Sequence, residues 1–271
     1  QKQLGNFPIL GQMPDWNPAE MIGRLPHNLS RSLYELLITN NSWERARGRM
    51  GYRSLVDSQL MISFAGHPYI DTQKSFYSFI PQELSEGLAT KIVTAWLALL
   101  RASPEKHDKI EFDIATTCFS FDLDARLNET LGNALTDSEL EEFQVAILKQ
   151  AREIISLQNS FQWATSMIST LDKSATEFRF FGNLELSEDN VRFVISKIID
   201  EGTVPFAILA RHGFVAKSIL DSLVSTGIFS PEEKEMFVNS VSTVAGDFLN
   251  DAQRLKSKAM SRNIFLTRYG H

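Results

Sequence analysis

The sequence predicts an α+β fold that is predominantly α-helical, with a small antiparallel sheet in the N-terminal half. Three observations lead there. From Thr136 onward the apolar residues recur almost throughout at helical spacing. Strand-like alternation is confined to two short runs, 54–64 and 110–114, with a helical stretch between them. Sharp helix-start signals punctuate the second half, at Thr136-Asp137-Ser138-Glu139 and Ser230-Pro231-Glu232-Glu233.

Taken in order, Asn17-Pro18-Ala19-Glu20 reads as a first helix start, with Asn17 as cap, Pro18 at the first helical position and Glu20 placed to close a capping box. Asp15 and Trp16, just before it, have no such local explanation. Leu29, Leu33, Leu36 and Leu37 share one helical face, and 43–50 carries Arg45, Arg47 and Arg49, most of which should sit in solvent. Leu60, Ile62 and Phe64 alternate in a strand, and a helix over 81–100 buries Leu84, Leu88, Ile92, Trp96 and Leu99. Ile110, Phe112 and Ile114 alternate with Glu111 and Asp113 in the second strand; the apolar phase then shifts at Thr116-Thr117, as at a bulge. Helices follow over about 137–155, 157–171, 188–201, 204–226, which ends at Gly227, and 231–266, with 176–184 open to reading as a third short strand.

Of the 271 residues, 43% are hydrophobic and 22% charged, a globular make-up with no sign of disorder. The net charge of -6, with basic residues scattered, gives no patch for nucleic acid or an anionic membrane surface. A single cysteine, Cys118, permits no internal disulfide and is read as a packing cysteine before a nucleophile. No long apolar run, secretory leader, zinc-type spacing, internal repeat or glycine-rich phosphate loop occurs, so a cytoplasmic protein is expected. The start at Gln1 and the end at Tyr269-Gly270-His271 suggest a piece cut from a longer chain.

The stretch 60–81 concentrates candidate chemistry between a strand and a helix: His67, Tyr69, Asp71, Lys74, Ser75 and Ser78 among aromatic neighbours. The plainer reading is a turn at Gly66-Pro68 with polar groups capping backbone ends. Elsewhere, Arg53 enters a strand, where an arginine suits a carboxylate or phosphate. Arg211 is read either as solvent-facing or as a cation lining a pocket near the crowded 206–214 segment. His212 is read as a hydrogen-bonded core histidine before a catalytic one.

Several blocks together resemble one family: Asp-Trp-Asn-Pro-Ala-Glu-Met-Ile-Gly at 15–23, Ser-Leu-Tyr-Glu-Leu-Leu-Ile-Thr at 32–39, Gly-Tyr-Arg at 51–53, Phe-Ala-Gly-His-Pro-Tyr-Ile-Asp at 64–71, Ser-Phe-Tyr-Ser-Phe-Ile-Pro at 75–81, Pro-Phe-Ala-Ile-Leu-Ala-Arg at 205–211 and the closing Tyr-Gly-His. The sequence resembles the middle region of phosphoenolpyruvate-synthase-like kinases of capsule and polysaccharide gene clusters. The resemblance implies an ATP-grasp domain before this region, binding ATP and Mg2+, and a phosphohistidine domain after it. The whole of 1–271 would then be one acceptor-binding domain with no cofactor of its own. The best-defined activity in that family looks like phosphorylation of the amide of L-glutamine, through a carrier histidine, for capsular phosphoramidate.

Under that resemblance, His67 and Asp71 are the candidate catalytic residues. Asp15, Trp16, Arg53, Tyr69, Lys74, Ser75, Ser78, Arg211 and His212 are candidates for holding a small acceptor. One departure stands out, since the family has an arginine two residues after the aspartate where this chain has Gln73 and then Lys74. A different small metabolite or a sugar as acceptor, or a non-catalytic helical scaffold, are the competing readings. The leading one requires Arg53, His67, Asp71 and Arg211 to converge on one cavity.

Overall fold

The computed structural model describes residues 9–12, 16–55, 58–180, 187–241 and 243–270. The chain is 69% helical with a three-stranded antiparallel sheet near its N-terminus, as the predicted α+β class requires. It divides into two compact units, residues 1–219 and 220–271.

In the first unit the sheet has the order β1-β3-β2, from Leu10–Gly11 (β1), Met61–Phe64 (β2) and His67–Asp71 (β3). β2 and β3 form a hairpin in which Phe64 opposes His67 across Ala65-Gly66. Both turn residues have positive φ, 50° and 81°, the conformation that matches the twist of the flanking strands. The φ of +81° at Gly66 is what favours glycine there, and an added Cβ would also press the Leu25 side chain at 3.1 Å. The stretch around His67 is thus a strand that runs straight into helix α4, rather than a loop.

The helices begin with α1 (Pro18–Met21), α2 (Asn28–Tyr34), which passes into a π-helical turn Glu35–Thr39, and α3 (Ser42–Gly48). Next come α4 (Thr72–Tyr77), α5 (Glu86–Ala102), α6 (Leu123–Leu131), α7 (Asp137–Ile155) and α8 (Ser160–Phe180). α9 (Glu188–Lys197) leads through a π-helical turn, Ile198–Thr203, into α10 (Val204–Ser225). The starts follow the sequence signals. Asn17 accepts from the Glu20 N–H, Ser85 from Leu88 and Ser187 from Asn190, and Thr136 and Glu139 form a reciprocal capping box.

The largest core gathers α4 to α7 around Trp96, whose ring meets Phe76 edge-on at 5.7 Å and Phe143 at 6.1 Å. A second cluster joins Met50, Tyr52 and Cys118 to Val204, Ile208 and Val215 of α10. A third, under the sheet, holds Tyr34, Trp43, Leu60 and Ile70.

Two expectations need correction here. Residues Ile110–Ile114 form a π-helical turn, with Ala115 N–H bonded to the Ile110 carbonyl at 2.7 Å, and not a strand. Ile110 and Ile114 are both buried, and a spacing of four puts them on one side in either conformation, so alternation over five residues did not discriminate. The possible third strand over 176–184 is also replaced, because 176–180 continue α8; 181–184 lie outside the described residues.

In the second unit the expected long helix is three helices, α11 (Pro231–Ser240), α12 (Val244–Lys256) and α13 (Arg262–Tyr269). Each has its own cap: Ser230 with Glu233 for α11, Thr243 accepting from Gly246 for α12, and Ser261 accepting from Ile264 for α13. Phe248, Phe265 and Tyr269 pack ring against ring at 5.0 to 5.6 Å. Asp251 is buried beneath them and takes hydrogen bonds from Arg254, Arg268 and the Tyr269 hydroxyl. Those bonds hold its carboxyl below the usual carboxylate pKa, Arg268 contributing most.

Candidate functional site

Among the described residues of the first unit, two arginines are buried, Arg47 and Arg211, at 6% and 5% exposure, and both lie close to one ring, Phe79. On α3 the residues Trp43, Ala46 and Arg47 fall at i, i+3 and i+4, so the helix that buries Trp43 must bury Arg47 with it. The Arg47 guanidinium carbon sits 3.9 Å from the centre of the Phe79 ring, and Nη1 donates to Ser78 Oγ. Ser78 in turn donates to the Ser75 carbonyl at 2.6 Å.

Arg211 comes from the middle of α10 and uses every nitrogen of its fork. Nε donates to the Tyr52 hydroxyl at 3.1 Å, Nη2 to the Thr117 carbonyl at 3.1 Å, and Nη1 to the Glu111 carboxylate. Its carbon lies 5.0 Å from the Phe79 ring centre and 5.2 Å from that of Tyr52. Burial opposes the guanidinium charge, but Tyr52 and Glu111 raise its pKa above the ordinary value, so it stays charged. Tyr52 has its own pKa raised, chiefly by burial, and donates its proton to the Thr117 carbonyl at 2.9 Å.

Arg47, Glu111 and Arg211 line a cavity of about 370 Å³, walled by Trp16, Phe206 and Phe214. Trp16 reaches it from a backbone with φ of +53°, pinned by a 2.6 Å hydrogen bond from the Tyr34 hydroxyl to the Trp16 carbonyl. Phe112 supports Phe214 at 5.7 Å. Arg47 and Arg211 bring two guanidiniums to the lining, the group that best matches a carboxylate or phosphoryl oxygen, with the Glu111 carboxylate beside them. The aromatic walls suit a compact apolar body beside it.

Of the eleven residues the sequence singled out, Trp16 and Arg211 line this cavity, and Ser78 supports Arg47. The expected convergence of Arg53, His67 and Asp71 with Arg211 does not occur. Arg53 pairs with Glu86 and donates to the Leu84 carbonyl at the start of α5. Asp71 caps α4, its carboxylate accepting from the Lys74 N–H at 3.2 Å, while Lys74 Nζ donates to the Gln59 carbonyl at 2.8 Å. His67 opposes Phe64 in the hairpin. Tyr69 lines a different cavity, with Thr72 and His107. Ser75 is fully buried, and Gln73 is exposed on α4. Asp15 lies outside the described residues.

Arg47 and Glu111 were not singled out from sequence. For Arg47 the signal was present, in its spacing from Trp43. Glu111 had none, since the strand reading turned it toward solvent.

His212, next to Arg211, faces elsewhere: its Nε2 is 3.4 Å from Ser160 Oγ, and its ring meets Phe161 edge-on at 5.3 Å. Burial pushes its pKa below the ordinary histidine value. Between that lowered pKa and about 6.5 the unfolded chain binds more protons than the folded one. Stability from the neutral ring is therefore full above about pH 6.5 and lost as the pH falls through the folded-state pKa. Urea unfolding across this range should show His212→Gln losing less stability on acidification than the parent; parallel profiles would contradict it.

Among the described residues, no group of three His, Cys, Asp or Glu is placed to hold a metal ion, and no helix is long and apolar enough to cross a membrane. No family model matches the chain, and neither do any curated protein or solved structure.

Proposed function

We propose that this chain is the acceptor-binding region of an ATP-dependent phosphotransferase that works through a phosphohistidine relay, and that the cavity between α3 and α10 receives the acceptor. The observation that carries the reading is the pair of buried guanidiniums, Arg47 and Arg211, lining one small aromatic-walled cavity. Burying two arginines is costly unless partners or a ligand repay it, and positioned cations are what phosphoryl transfer asks of a protein. The resemblance of the 15–23, 64–71 and 205–211 blocks adds the reaction class. ATP and Mg2+ are assigned to domains outside this chain, where ATP supplies the phosphoryl group.

In this reading the acceptor is L-glutamine. Its carboxylate faces Arg47, and Trp16, Phe206 and Phe214 pack beside its side chain. The phosphorus–nitrogen bond to the carrier histidine breaks as a phosphorus–nitrogen bond to the amide forms. The amide gives up one proton, and the Glu111 carboxylate is the acceptor at hand. The polar residues of 60–81 then have a supporting role, fixing the hairpin and α4, and through Ser78 the guanidinium of Arg47.

Calorimetric titration of the chain with L-glutamine, other L-amino acids and hexoses tests this. L-Glutamine should give a saturable heat that Ala207→Leu, which fills the cavity wall, removes. Binding of a hexose alone would transfer the reading to a sugar acceptor, and no binding by any of them would reduce the chain to a scaffold.

A further inference from the structure

Met50 lines two cavities. Besides the one that holds Arg211, it borders a second of about 500 Å³, enclosed by the end of α3, the 81–83 segment, α7 and the first residues of α8. That volume is in the range of small-molecule sites.

The wall of this second cavity carries an arginine in an unusual state. Arg49 is exposed, its guanidinium carbon 3.9 Å from the centre of the Trp163 ring, and among the described residues it has no carboxylate or hydrogen-bond partner. An indole face fixes a guanidinium without using its N–H groups, so the whole fork remains available to an oxyanion. On α3, just before it, Arg45 pairs with Asp200 and Arg47 is buried against Phe79 and Ser78.

Deeper in, two buried polar side chains line the cavity. Gln150, 7% exposed, donates from Nε2 to the Met50 carbonyl at 3.1 Å, which fixes the plane of its carboxamide. Ser160, 8% exposed, has only a long 3.4 Å contact to His212 Nε2, so its hydroxyl can turn to a better partner. Ser160 also begins α8, and the positive end of that 21-residue helix favours negative charge beside it. At the rim, Lys149 pairs with Glu83 and lies in the field of Glu153. Glu83 and Glu153 outnumber Lys149, so the lining carries no net charge once Arg49 is included, and the Arg49 fork is the group open to one negative group of a ligand.

We infer that this cavity is a second binding site, separate from the acceptor cavity, for a small metabolite carrying one oxyanion, a carboxylate or a phosphate. Arg49 takes the oxyanion against Trp163, and Gln150 and Ser160 bind the hydroxyl or amide groups of the remainder.

The test is titration of the chain with L-lactate, a hydroxy monocarboxylate, and, separately, with inorganic phosphate at constant ionic strength, followed by calorimetry and tryptophan fluorescence. At least one probe should bind saturably and change the fluorescence of Trp163, and the tighter of the two identifies carboxylate or phosphate as the group. Arg49→Gln, a change on the surface, should weaken that binding about tenfold or more, the loss of one charged hydrogen-bonding partner. Ala207→Leu, which closes the other cavity, should leave it within about twofold. Absence of saturable binding by both probes overturns the inference, as does binding that survives Arg49→Gln. So does binding that Ala207→Leu weakens as much as Arg49→Gln does, because the anion then sits against Arg47 and Arg211.

Discussion

Replacing Arg211 with methionine should cost about 3–5 kcal/mol of folding stability, the range for removing one partner of a buried, hydrogen-bonded ion pair. The substitution strips a guanidinium from Glu111, from the Tyr52 hydroxyl and from the Thr117 carbonyl at once, and all three sit where water cannot easily replace it. Lysine would keep the charge but could not reach three acceptors in three directions, so Arg211→Lys should recover only part of the loss. Removing the carboxylate as well, in Arg211→Met with Glu111→Leu, should be less damaging than Arg211→Met alone, because fewer buried charges are left without an opposite. Urea unfolding of the set decides it. A loss below about 1 kcal/mol for Arg211→Met would mean that the fork is wetter than its burial indicates. The same variants are poor probes of acceptor binding, since unfolding would imitate lost affinity; Ala207→Leu is the cleaner choice.

The second large effect is expected far from either cavity. Trp96 is fully buried between Phe76 and Phe143, at the centre of the core built by α4, α5 and α7. Trp96→Ala should lower stability by about 3–5 kcal/mol, through lost apolar burial and the space left between two rings that cannot close together. Trp96→Phe should cost much less. It keeps an aromatic face against both neighbours, and the indole N–H has no hydrogen-bond partner among the described residues, so none is lost. Equal losses for the two substitutions would show that the cluster does not carry the core. Neither change should alter L-glutamine binding in variants that remain folded, because Trp96 borders neither cavity.

Local chemistry made much of the architecture readable. The Thr136 and Ser230 boxes, the Ser187 cap and the apolar stripe of α5 each depend on residues within a turn or two of one another, and each forms as its spacing requires. The misreadings have local causes as well. Ile110, Phe112 and Ile114 satisfy a strand and a helical turn equally over so short a run. The single helix drawn through 231–266 passed over Thr243 and Ser261, two residues of the type that caps helices, because the apolar residues around them continued at helical intervals.

The site was legible only in fragments. Trp16 was singled out because it had no local role and Arg211 because it lies in the crowded 206–214 segment, and both reach the cavity. Arg53, His67, Asp71 and Lys74 looked equally chemical in sequence. In the fold Arg53 bonds to the start of α5, Asp71 caps α4, Lys74 reaches the Gln59 carbonyl, and His67 takes its place in the hairpin. A polar residue near aromatic ones has the same appearance on paper whether it will cap a helix or line a pocket.

The sequence alone determined the helical class, the helix starts at Asn17, Thr136, Ser187 and Ser230, and the buried stripe of α5. Only the tertiary structure decided that Arg47, Phe79, Glu111 and Arg211 meet while Arg49 keeps its fork free. The physical reason is range. Caps and apolar stripes are settled by neighbours a few residues away, whereas the worth of a buried charge depends on partners, here as far apart as Tyr52 and Arg211, that are identified only once the chain has packed.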